Sequence, residues 1–197
     1  MAAGRIPALL LALALALCAC GTSLVAVPAG SEQTARYRAV RKVPLTVGLL
    51  LPPEFEGYTQ TVKYGPRSAE VQLGPAMVEN ARRALPQAFE GVVGASEGEP
   101  AQGAVQAIVR PEILDVRVAT GGGVKAACEV RARWTVKDAG GKVLWDQVVT
   151  GSAQRDDILS VPLSVAATLA PCMEAAVQNH YLALLRDVVV GEWWPAR

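Results

Sequence analysis

The side chains with the most chemistry to offer are four cysteines and a single histidine. Cys18 and Cys20 stand one residue apart in "LALALALCACGTS", at the end of an apolar run. Cys128 and His180 are a candidate thiol and base. Cys128, however, falls on the apolar parity of a strand-like stretch, where a thiol is normally inert. His180 lies within a helical pattern and reads as a surface or helix-lining histidine rather than a catalytic base. Asp156 and Asp157 lack the spaced oxygen ligands and sharp glycine of a calcium loop. Gly121 to Gly123 precede a strand and not a helix, so they read as a hairpin turn and not a phosphate cradle. The serines of "GTS" (21–23) and "GAS" (94–96) sit in loops without a nucleophile elbow. Beyond the amino-terminal run there is no C-x-x-C, histidine pair or Walker motif. The expectation is a protein that is not an enzyme, with no metal and no cofactor.

The opening cysteine pair has a different logic. Arg5 is the only early charged side chain, and Ile6 to Leu17 are almost entirely Leu and Ala. Twelve helical residues rise about 18 Å, well short of the roughly 30 Å hydrocarbon core of a bilayer. A basic start, a short apolar run and small residues after it make a secretory signal rather than a membrane span. The stretch from Leu17 to Gly21 resembles a bacterial lipobox. Aligned on Cys20, Leu17 takes the branched position, Ala19 the small one, and Gly21 follows. Aligned on Cys18 the pattern fails, because Leu17 would occupy the small-residue slot. The resemblance implies a signal peptide over 1–19 and lipidation of Cys20 with acyl chains, palmitate among them. Several acyl chains anchor stably where one binds marginally. Gly21 in place of an aspartate retention signal implies an outer-membrane address, with the domain facing the periplasm. The alternative is an ordinary signal peptide cut elsewhere.

Removing residues 1–19 takes Arg5 and no acid, so the mature chain carries equal numbers of basic and acidic side chains. Such a balance is no nucleic-acid footprint, and no nucleic-acid partner is expected. Residues 20–43 read as the lipidated N-terminus and a tether. Arg36, Arg38, Arg41 and Lys42 cluster there as a solvated linker or, alternatively, as a collar on anionic headgroups. Residues 44–197 are long enough for a single domain with its own core.

Leu45 to Leu51 are continuously apolar before a proline pair, which predicts a strand buried on both faces. Tyr58, Val62 and Tyr64 leave room for a short exposed strand before the turn at "GPRS". Met77, Ala81, Leu85, Ala88 and Val92 form one helical stripe over 74–93, entered at Gly74–Pro75 and disturbed by Pro86. In "AVQAIVRPEILDVRVAT" the apolar parity switches near Pro111, predicting a bulge. From Val124 to Val136 apolar residues alternate with Lys125, Glu129, Arg131, Arg133, Thr135 and Lys137, the pattern of an antiparallel strand with one wet face. "DAGGK" turns this strand into "KVLWDQVVTGSA", and a helix follows over 162–190, disturbed by Pro171. The predicted fold is α+β: a mainly antiparallel sheet of about four strands with two helices on one face. A lipobox followed by this order, and the charged turn with "VLW" after it, resembles a broad group of bacterial envelope lipoproteins. The group includes auxiliary lipoproteins of ABC transport systems, lipopolysaccharide-assembly lipoproteins and domains of the TolB amino-terminal type.

The resemblance implies a non-enzymatic accessory component of an envelope transport or assembly system, with the membrane and an envelope protein complex as partners. The alternative is a binding module for a lipid or other amphipathic ligand held between helices and sheet. Phe55, Tyr58 and Tyr64, with Trp193 and Trp194 in the tail, are candidate partner-binding residues, because aromatic side chains dominate interface centres. The other reading of these residues is that they cover the edges of their own core. Cys128 and Cys172 face an oxidising compartment. A disulfide between them and two separately buried thiols both stay open at this point.

Overall fold

The structure is a computed structural model and describes residues 23–29, 41–64, 67–97, 105–121, 125–155, 165–191 and 193–194. Cys20 and most of the signal and tether assignments lie outside the described residues. Strand β1 (Ser23–Ala26) is followed by β2 (Val43–Leu50) and a single-turn helix α1 (Pro53–Glu56). The hairpin β3 (Thr59–Tyr64) and β4 (Arg67–Gln72) leads into helix α2 (Gly74–Ala88) and strand β5 (Phe89–Ala95). The chain then runs through β6 (Ala107–Gly121), β7 (Lys125–Asp138) and β8 (Val143–Arg155) to the long helix α3 (Val165–Val190).

Five strands form the main sheet in the order β5-β2-β6-β7-β8, and β1-β4-β3 form a smaller sheet. The α+β class and the β6–β7–β8 meander match the sequence expectation. The strand count does not, and neither does a simple antiparallel sheet. β2 pairs in parallel with both β5 and β6, and β1 pairs in parallel with β4. Ser23–Ala26, in the span read as tether, is a strand locked to Ala69–Gln72. Helix α2 ends at Ala88, and its expected last turn is instead β5. Val92 continues the helical stripe, but Pro86 and Gly91 make a longer helix unfavourable. Parallel pairing with β2 then takes up the backbone groups of 89–95.

β7 explains the layering. Ala126, Cys128, Val130, Ala132, Trp134 and Val136 are all buried on one side, as the period of two requires. Helix α3 packs on them, and Leu169, Met173, Val177, Leu184 and Val188 of α3 share one core cluster with Met77, Ala81 and Leu85 of α2, which packs on α3 and β5. Pro171 is accommodated inside α3, within its second turn. In β2 Val43, Leu45, Val47 and Leu49 face this core; on the other side Gly48 is buried and Pro44, Thr46 and Leu50 are half-buried. The strand is therefore fully covered on one face and partly covered on the other. The register of β6 against β7 slips between Ile113 and Asp115, two residues after the proline that marked the parity switch.

Trp134 is the centre of the core. Its ring meets Phe55 edge-on at 6.2 Å and Tyr181 edge-on at 5.7 Å. The Tyr181 hydroxyl donates to the Met77 carbonyl at 2.5 Å, tying α3 to α2. Gly151 of β8 lies directly under α3, and a Cβ there would collide with the Ala176 carbonyl and the His180 backbone nitrogen. The small sheet is fastened to the large one by Gln60. Its amide donates to the Val116 carbonyl at 3.0 Å and accepts from the Val116 N–H at 3.1 Å, standing in for a strand partner.

Candidate functional site

The alternation that buries one side of β6, β7 and β8 puts polar side chains on the other. On that outer face Glu112 registers with Arg133, Arg110 with Thr135, and Thr135 with Asp146. The segment Pro52–Tyr58, carrying α1, rises beside this surface as a wall. The β7–β8 turn closes one end. In that turn the Asp138 carboxylate accepts from the N–H groups of Gly140 and Lys142 at 2.9 Å each. Gly141 adopts φ 84°, a left-handed conformation that favours glycine. Floor, wall and turn enclose an open groove of about 1000 Å³.

Leu50, Ile108, Ile113 and Val143 give the groove an apolar lining. Its charges are mixed: Arg110, Arg133 and Lys137 against Glu54, Glu112, Asp138 and Asp146. The ion pairs are long and exposed: Arg110–Glu54 at 3.7 Å, Arg133–Asp146 at 3.8 Å and Arg133–Glu112 at 3.9 Å. Such pairs contribute at most about 1 kcal/mol each, so their partners can be exchanged for those of a ligand. The near-balance of charge suits a ligand with both signs and apolar surface, such as a polypeptide, better than a simple anion. The lining includes no histidine, cysteine or serine. Among the described residues no cluster of three or more metal-ligating side chains occurs.

His180 is on the opposite side of the sheet, fully buried. The Trp134 indole N–H donates to its Nε2 at 3.0 Å, which requires that nitrogen to be unprotonated. Nδ1 lies by the carbonyls of Val130 and Val149 without a well-aligned hydrogen bond. Burial pushes the imidazole down from 6.5 to about 4, against a smaller upward pull from those carbonyls. It is thus a neutral core acceptor, neither a surface residue nor one with access to substrate.

Cys128 and Cys172 meet between β7 and α3 as buried free thiols. A hydrogen bond with Cys172, together with burial, holds the Cys128 thiol well above its ordinary pKa. Cys172 Sγ also approaches the carbonyls of Ala126 and Ala153, at 3.6 and 3.7 Å. Sequence alone did not pair them; α3 running across β7 does.

The aromatic candidates separate. Phe55 is buried against Trp134. Tyr58 is half-buried in the groove wall, its hydroxyl donating to Gln60 Oε1 at 2.6 Å. Burial, with the nearby Asp115 carboxylate, raises its pKa. The Tyr64 side chain lies outside what is described. Trp193 stacks on Trp145 at 6.2 Å, meets Phe89 edge-on at 6.5 Å and donates from Nε1 to the Val188 carbonyl at 3.0 Å. Trp194 is 8% exposed, with the Arg41 guanidinium 5.8 Å above its ring. The tail tryptophans cover their own core edge, which leaves them little surface for a partner. Arg41 lies there and Lys42 Nζ donates to the Pro86 carbonyl at 2.7 Å, so both exposed side chains are held against the domain. Sequence reasoning singled out none of Glu54, Arg110, Glu112 and Asp146. The signal for a polar face was visible in β7, but not the wall that turns it into a groove.

The architecture is that of a known fold. It superimposes on a DUF330-family protein from Xanthomonas campestris with a TM-score of 0.56 at 11% identity, over 87% of this chain and 97% of that one. A minor lipoprotein from Acinetobacter baumannii aligns over 77% of this chain and 95% of its own, at 8% identity and a TM-score of 0.47. At such identity the Xanthomonas likeness establishes the fold alone. No family model matches the chain, and no curated protein does. No helix among the described residues is long and apolar enough to cross a membrane.

Proposed function

We propose that this chain is a lipid-anchored accessory protein of the bacterial envelope, held by acyl chains on Cys20 and acting by binding rather than catalysis. The observation that carries this reading is the placement of Leu17, Ala19, Cys20 and Gly21 at the end of a short apolar run. Its address is the outer membrane, with the domain facing the periplasm. Its role is that of a non-enzymatic component of a transport or assembly system. The groove over β6–β8 is the recognition surface, and its mixed charge and apolar lining favour a polypeptide segment of an envelope partner.

A second reading, a module for an amphipathic ligand, is supported by the apolar lining of the outer groove at Leu50, Ile108, Ile113 and Val143. The layer between helices and sheet, where such a ligand was expected, is filled by Trp134, Tyr181, Met77 and Leu184. An amphipathic molecule would therefore lie in the outer groove.

Intact mass measurement of the amino-terminal peptide tests the anchor, with acyl chains expected on Cys20. For the groove, a photocrosslinker at Lys137 in living cells should capture a discrete envelope component. Arg110→Glu with Arg133→Glu should abolish that capture with little change in melting temperature, since both side chains are about half exposed. Capture undiminished in this variant would refute the groove assignment. A stoichiometric lipid released from the purified protein, and lost in the same variant, would favour the second reading.

A further inference from the structure

We infer that the β3–β4 end of the small sheet rests in the lipid headgroup layer, so that the domain stands on the membrane rather than hanging from a long tether. The inference rests on the reading of Cys20 as the acylated residue. The acylated cysteine sits at the edge of the hydrocarbon, and β1 begins only three residues later, at Ser23. Three residues span at most about 11 Å. Each headgroup layer is roughly 5–7 Å deep, from the difference between total and hydrocarbon thickness.

Register supplies the direction. Ser23 pairs with Ala69 in parallel, so β4 runs in the same direction as β1, whose first residue is the one nearest Cys20 along the chain. The last rung of the hairpin, Tyr64 with Arg67, lies two residues before Ala69. At the rise of a strand this rung lies about 7 Å beyond Ser23 along the strand axis, and with β1 leading away from the anchor that displacement is toward the bilayer. With the strands upright it falls within the headgroups. The residue types suit that depth. Lys63 and Arg67 are basic, and no acid occurs from Thr59 through Ala69. Tyr64 is an interfacial residue type. Leu24, the fourth residue after Cys20, is 55% exposed although it is apolar, and through Glu70 it shares a face with Thr61 and Lys63. Anionic phospholipid headgroups are the occupant this chemistry fits.

Thr59, Thr61 and Lys63 point to one exposed face of β3 and form a ladder that reads depth. Each is replaced by Cys and labelled with a fluorophore in the acylated full-length protein; Cys128 and Cys172 are buried and escape labelling. The protein is placed in vesicles of phosphatidylethanolamine and phosphatidylglycerol, 3:1, carrying a headgroup-attached quencher. The label at 63 should read about 13 Å nearer the quencher than the label at 59, with 61 between them. Equal quenching at the three positions in acylated protein would overturn the inference while leaving the anchor intact. A Cys20 peptide without acyl mass would overturn the anchor, and the inference with it. Lys63→Glu with Arg67→Glu, read from the label at 61 at low salt, should withdraw the label from the quencher at unchanged melting temperature. An unchanged reading would exclude the headgroup contact.

Discussion

Acidification should destabilise this fold through His180, and the size of the effect follows from its surroundings. The imidazole is fully buried and accepts from Trp134 Nε1 at 3.0 Å. Protonation would strand a charge in the core and remove that acceptor. Its pKa falls from 6.5 in the unfolded chain to about 4 in the fold. Between these values the unfolded state binds the extra proton and the folded state does not. Stability attributable to this group is therefore intact above about pH 6.5 and declines as pH falls, at about 1.4 kcal/mol per unit. By about pH 4 the loss amounts to roughly 3 kcal/mol, and it levels off as pH falls through the folded-state pKa. The assay is urea unfolding of the mature chain carrying Cys20→Ala, at half-unit steps from pH 7.5 to 4. His180→Gln supplies the comparison, because its amide oxygen can accept from Trp134 and does not titrate. Carboxylates take up protons toward the acid end of the same range, but they do so in both proteins and cancel in the difference. Wild type should approach or fall below the variant as pH drops, with the difference changing by about 3 kcal/mol. Parallel curves from pH 6.5 to 4 would refute the buried neutral histidine.

Gly151→Ala should lower the melting temperature sharply, by at least the roughly 1–3 kcal/mol typical of overpacking, because the new methyl meets α3 backbone rather than a yielding side chain; thermal denaturation followed by circular dichroism checks it. Trp193→Ala should remove the stacking on Trp145 and the edge contact with Phe89. For this partly buried ring the loss should be about 2–3 kcal/mol, below the range for fully buried tryptophans, and read as an earlier urea midpoint. Cys128 and Cys172, already in contact in the fold, should close to a disulfide when the unfolded chain refolds in a thiol–disulfide redox buffer. Thiol titration of the unfolded, unreduced protein should then find no free thiol in the mature domain. In the chain-entropy model the closed loop adds on the order of 4 kcal/mol, and two thiols persisting after oxidation would show that the sulfurs cannot reach bonding geometry.

Much of this protein is written in local pattern. The alternation from Ala126 to Val136 determined β7, its buried side and its wet side, because side-chain direction in a strand has a period of two whatever surrounds it. The helical stripes placed α2 and α3 for the same local reason, and the parity switch near Pro111 located the irregularity of β6. The lipobox resemblance of Leu17–Gly21 rests on a contiguous stretch and, as an expectation, required no fold. Pairing between distant segments was not. That β2 lies parallel between β5 and β6, and that Ser23–Ala26 becomes a strand on β4, depends on partners 40 or more residues away. Nothing in "SLVA" or "FEGVVGA" distinguishes a strand from a linker or a helix tail. The candidate site divides along the same line. The charges of its floor follow from the alternation of β7, whereas the wall at Pro52–Tyr58 exists only because α1 folds back beside the sheet. The neutrality of His180 and the meeting of Cys128 with Cys172 were likewise decided by α3 crossing β7 and β8. Burial and hydrogen-bond partners are properties of the packed state, and a residue's identity alone carries neither.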